Sequence, residues 1–172
     1  SSYVRDLVTG AFDDVNRSSE GDVGSAGLAG SESIFSTDGR FTAMISNSPN
    51  LVPGTSVVCR TGPGPDCFNW YLRDRVSGLT KRMSATITDT EMQGEMMGGV
   101  GLSADGRTLA FMTVASDLLG PGNDTNLCDT DAVPPLDPCP DIFVRTPDHA
   151  EAATADRSGD GDFGDTSLEV LD

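Results

Sequence analysis

The chain has 172 residues, 37% of them hydrophobic, with 20 glycines and 10 prolines, enough apolar residues for one ordinary core cut by many turns. Lysine and arginine number 11 against 27 aspartates and glutamates, a net charge of −16, and a surface so acidic repels phosphate and favours cations, so neither nucleic acid nor an anionic membrane is an expected partner. No apolar run approaches the roughly 18 residues of a membrane helix, so no membrane insertion is expected.

In chain order, Tyr3–Gly10 (YVRDLVTG) reads as a strand, a turn and the start of a returning strand. Ser36–Ser46 (STDGRFTAMIS) sets Asp38-Gly39 between β-prone runs, and Asp-Gly is a preferred pair for a tight hairpin. The loop Ser48–Gly54 (SPNLVPG) follows, then Cys67–Asp74 (CFNWYLRD), aromatic and branched as a packed strand requires. A turn at Ser77-Gly78 leads to a further strand, and the stretch 85–99 (ATITDTEMQGEMMGG) holds one helical turn at most. Ser103–Thr113 (SADGRTLAFMT) repeats the first hairpin, with Asp105 standing 67 residues after Asp38. Tyr71 stands 68 residues after Tyr3, and Phe143, opening FVRT, a further 72 on. Two markers alternating at nearly one period imply one structural unit used repeatedly.

Each unit holds four strands: two around the Asp-Gly turn, the aromatic strand, and its hairpin partner. Four antiparallel strands per repeat describe a β-propeller blade. The expected fold is therefore all-β, a partial propeller of about two full blades with partial blades at both ends. Residues 1–30 are the last strands of one blade and a link, 31–90 the first full blade and 91–155 the second. Residues 156–172 are a loop and the opening strand of the next, and a modular break is expected near residues 86–97. Because a closed ring needs roughly four to eight blades, the rest is expected from a longer parent chain or from other copies.

The four cysteines, Cys59, Cys67, Cys128 and Cys139, form no C-x-x-C pair, which disfavours a zinc knuckle. Of three possible pairings, Cys59 with Cys67 and Cys128 with Cys139 fits the repeat best. Each pair sits in a Pro/Gly/Asp-rich stretch just before an aromatic strand. Disulfides imply an oxidising compartment, so a periplasmic or extracellular location is expected.

The repeats resemble the WD-repeat-like propeller repeats of the TolB type, found in bacterial secreted and periplasmic proteins. The carrying residues are LSADGRTLAFMTVASDLLGPGNDTN, DIFVRT, NWYLRDRVSGLTKRMS and YVRDLVTG. FVRTPDHAEAATAD departs from the pattern by losing the Arg-Asp and Thr-Gly pairs. The resemblance implies a binding or scaffold module contacting protein or glycan at a propeller face or loop. The alternative is an accessory propeller of a secreted hydrolase or peptidase whose catalytic domain lies outside this chain.

No catalytic motif stands out, and we expect no enzyme activity from this chain: His149 is the one histidine and no G-x-S-x-G elbow accompanies it. Asp38 and Asp105 are read as caps of their own hairpins, although the Asp box of sialidase propellers is a comparison. Arg5, Arg73 and Arg145 recur at one position, as a ring around a ligand or, preferably, as Arg–Asp pairs fixing each hairpin. Met92, Met96 and Met97 suit packing between blades better than a sticky surface. Asn16 and Asn123 open N-x-S/T sequons. Asp156, Ser158, Asp160, Asp162 and Asp165 alternate oxygens around Gly161, a spacing suited to calcium. Ser167 stands where an EF-hand has its bidentate glutamate, with Glu169 two residues on, which predicts weak, extracellular-range affinity.

Overall fold

In a computed structural model of the chain, the described residues are 3–26, 28–55, 68–94, 96–120, 140–147 and 166–171. Among them there are strands and turns and no helix. Ten strands form three antiparallel sheets, none of them closed. β1 (Tyr3–Arg5) and β2 (Phe12–Asp14) form a two-stranded sheet. β3 (Leu28–Phe35), β4 (Phe41–Ser46), β5 (Asn69–Asp74) and β6 (Thr80–Arg82) form a four-stranded meander. β7 (Met96–Leu102), β8 (Leu109–Thr113), β9 (Asp141–Pro147) and β10 (Thr166–Leu171) form a second. The two markers thus occupy equivalent places: S-x-D-G-R joins the first two strands of each meander, and the aromatic marker is the third.

β10 pairs antiparallel with β9, from Thr166 opposite Pro147 to Leu171 opposite Ile142. In the other two units an Asp-x-x-x-Gly turn returns the chain at once, with Gly10 at φ +76° and Gly78 at φ +78°. After β9 that turn sequence is missing, and the partner strand comes from further along the chain.

The first meander is covered on both faces. Side chains alternate across a strand, so Ala43, Ile45, Trp70 and Leu72 face one way, and Met44 and Tyr71 the other. The first set joins Leu109, Phe111, Leu118 and Phe143 in one core shared with the second meander. The second set packs with Val15 and Leu51, and Val4 of the two-stranded sheet packs against it. Register places Ile45 opposite Trp70 and Met44 opposite Tyr71, so β4 and β5 are buried along their whole length. Fully burying such a side chain contributes roughly 1.5–3 kcal/mol, which ties the three sheets into one stack.

Candidate functional site

The repeated hairpin turn is built identically in both meanders. Ser36 Oγ donates to Asp38 Oδ1 at 2.6 Å, Asp38 Oδ1 accepts from Arg40 N at 3.0 Å, and Phe41 N donates to Ser36 Oγ at 2.9 Å. In the second turn Ser103 Oγ donates to Asp105 Oδ1 at 2.6 Å, Arg107 N to Asp105 Oδ1 at 3.0 Å, and Thr108 N to Ser103 Oγ at 2.9 Å. Asp38 and Asp105 therefore cap their own turns, and the serine hydroxyls, then these backbone N–H groups, hold both carboxyls below the usual range. Gly39 and Gly106 take φ of +69° and +72° while neither aspartate does. A two-residue I′ turn would need positive φ at both positions; the tight hairpin is instead a longer loop closed by left-handed glycine. The two turns touch, Thr37 N donating to the carbonyl of Ala104 at 2.8 Å.

The recurrent arginines do not pair with the aspartates beside them. Neighbours on a strand point to opposite faces, which corrects the expected Arg73–Asp74 pair. Asp74 accepts a two-pronged bond from Arg40, at 3.1 Å from Nε and 2.8 Å from Nη2. Burial alone would raise its pKa; the Arg40 guanidinium and the Val76 and Ser77 groups outweigh burial and hold it well below the carboxylate range.

Arg73 reaches back to the segment between sheets. Its Nη1 lies 3.2 Å from the carbonyl oxygen of Arg17, 3.1 Å from that of Ser18 and 3.0 Å from that of Gly78. Arg145, fully buried, donates from Nη1 to the Met83 carbonyl at 2.9 Å and from Nη2 to Thr86 at 3.0 Å. Burial pushes its pKa down to about 10, which leaves it charged at neutral pH. Arg5 is exposed, its guanidinium 5.4 Å from the Phe12 ring centroid.

The clamped segments are themselves a repeat that the sequence reading missed. Arg17 bridges Val23, and Ala85 bridges Glu91. Ser18 N donates to Asp22 O and Gly21 N to Ser18 O; Thr86 N donates to Thr90 O and Asp89 N to Thr86 O. Gly21 and Asp89 both have positive φ. Asn50 Oδ1 accepts from Ser25 N at 2.8 Å, as Asp117 Oδ1 accepts from Gln93 N at 2.9 Å. The letters differ because backbone groups make the turn; the readable signal was a hydroxyl residue at both Ser18 and Thr86, each receiving a bond from the N–H four residues on.

Met92 lies in the core with Met96 packed against it, as expected of packing methionines. Asn16 is 1% exposed, so its sequon offers no glycan site in the folded chain. The expected calcium ligands Asp156, Ser158, Asp160, Asp162 and Asp165, the four cysteines, His149 and Asn123 lie outside the described residues. Among the described residues no group of three His, Cys, Asp or Glu side chains is placed to hold a metal.

Two surfaces remain open. At the turns leaving β1 and β5, Val8 is 96% and Val76 77% exposed at equivalent positions, with Leu7 and Leu79 beside them. At the ends of the stack, Tyr3 and Phe12 of the two-stranded sheet are exposed, and Ala110, Met112, Ile142 and Val144 of the second meander are half-buried. No protein-family model matches the chain, and neither a curated protein nor a solved structure matches it.

Proposed function

We propose that the chain is part of an exported β-propeller of TolB-like type, acting as a non-catalytic binding or scaffold module. One observation carries this reading: polar side chains of the repeated motifs build the hairpin turns and join one sheet to the next. Ser36, Asp38, Ser103 and Asp105 fix the turns. Arg73 and Arg145 fix the segments between sheets, and Arg75 ties Asp13 of β2 to the Gly39 carbonyl. Antiparallel sheets packed face to face in sequence order are how propeller blades are arranged. The TolB-like reading rests on the motif residues, and the exported location on the four cysteines. Calcium in the 156–165 loop would brace the last strand.

The surface offered to a protein or glycan is the edge bearing Val8 and Val76, where apolar side chains recur in solvent instead of in the core. A photo-crosslinker placed at Val8 or Val76 in cells that make the protein should label the same partner from both positions, while one at Asp22 does not. Equal labelling from all three positions would overturn the proposed binding edge. X-ray scattering of the complete protein giving an extended rod instead of a compact disc would overturn the propeller.

A further inference from the structure

The contact between the two meanders has two unlike halves, and among the described residues each half has a second copy that is less buried than the first. The forward half in the first meander is Ala43, Ile45, Trp70 and Leu72, all buried. Its equivalents in the second meander, counted from the shared turn and the aromatic marker, are Ala110, Met112, Ile142 and Val144. They form an equally apolar face, yet all four are only half-buried.

The backward half is the aromatic and arginine of the third strand. Tyr71 is 0% and Phe143 1% exposed. Their equivalent Tyr3 is 61% exposed and Phe12 beside it 68%, with Arg5 also in solvent. Alternation explains the orientation: Val4 packs inward on the first meander, so Tyr3 and Arg5 point outward.

We infer that a second copy of this chain seats its Tyr3, Arg5 and Phe12 face on the Ala110, Met112, Ile142 and Val144 face of the first, repeating between chains the contact made within one. This rests on the stacked-sheet reading above. The internal interface names the occupant, since what covers the forward face of the first meander is the backward face of another such unit. The two faces are unlike, so association is head to tail and continues to a closed ring or an open stack. A chain of charge −16 repels its copies, so association strengthens as salt screens that charge.

Sedimentation velocity of the whole chain in low and high salt tests this. Wild type should form dimers and larger species, more in high salt. Tyr3→Asp blocks one face and Val144→Asp the other; each alone should be monomeric, and an equimolar mixture should form dimers and nothing larger. Persistent monomer for wild type, or a mixture that stays monomeric, would overturn the inference. Trp70, the single tryptophan, sits between the meanders and donates from Nε1 to Gly98 O at 3.3 Å. Shielded Trp70 fluorescence in a monomeric wild type would reject only the second copy, whereas solvent-exposed Trp70 would reject the stack itself.

Discussion

Arg145 Nη2 donates to the carbonyl oxygen of Thr86 at 3.0 Å, across 59 residues of chain. Its counterpart Arg73 makes the same bond to Ser18 at 3.1 Å. A buried guanidinium thus joins each meander to the segment that precedes it. Desolvating the charge is costly, and the carbonyl dipoles, with Asp89 adding a favourable charge, offset it.

Arg145→Met should therefore destabilise more than its lost volume suggests, because the buried Met83 carbonyl loses its donor while the Thr86 carbonyl keeps only that from Asp89 N. About 1–3 kcal/mol is expected, the cost of one buried group left unsatisfied. Arg145→Lys should recover only part, since an ammonium lacks the planar fork that spans two carbonyls. Urea denaturation measures both, and a Met variant as stable as wild type would refute the clamp.

Gly39 and Gly106 share a backbone conformation but not surroundings. A Cβ on Gly39 would meet Arg75 Nη1 at 3.9 Å, whereas one on Gly106 would lie 2.4 Å from Phe41 Cδ2. Gly39→Ala should cost only the left-handed penalty of about 1–2 kcal/mol. Gly106→Ala should cost clearly more, by displacing Phe41 and separating the meanders. Thermal melts of the two variants decide it; equal losses would contradict the close approach.

The Arg40–Asp74 pair sets a pH dependence. Asp74 has its folded pKa depressed below the unfolded value of about 3.9. Its contribution is fully present above that value and is lost as pH falls through the folded one. Arg40→Met should cost about 1 kcal/mol at neutral pH, allowing for solvent screening. The gap between variant and wild type should shrink as pH falls below the unfolded value toward the folded one, as melting curves from pH 7 to below 2 would record. A gap independent of pH would argue against the pair.

The cysteines are expected to join as Cys59 with Cys67 and Cys128 with Cys139. Each link closes a loop of about ten residues and contributes roughly 2–3 kcal/mol when unstrained. Mass spectrometry of unreduced peptides reads the pairing directly; a Cys59–Cys128 peptide would refute it.

Calcium is expected to bind Asp156, Ser158, Asp160, Asp162 and Asp165 and to raise the melting temperature, by an amount equivalent to about 2.7 kcal/mol at a free ion concentration one hundred times Kd. Asp160→Asn with Asp162→Asn should abolish that rise. Calorimetry with calcium and with EDTA makes the comparison, and identical melts would end the proposal.

The sequence by itself determined the strands and the turns between them. Asp38-Gly39, Asp105-Gly106 and Ser77-Gly78 marked chain reversals, and the aromatic runs marked third strands, because turn chemistry and β-propensity act within a few residues. Which partner each arginine takes was decided by tertiary structure. Arg73 sits beside Asp74 in sequence, but strand alternation sends the two apart, one to Ser18 and the other to Arg40. The segments 17–23 and 85–91 share a conformation and almost no letters, since backbone hydrogen bonds build them. The pairing of β10 with β9 was likewise decided only in three dimensions: without a turn sequence after Pro147, no local signal says which strand returns.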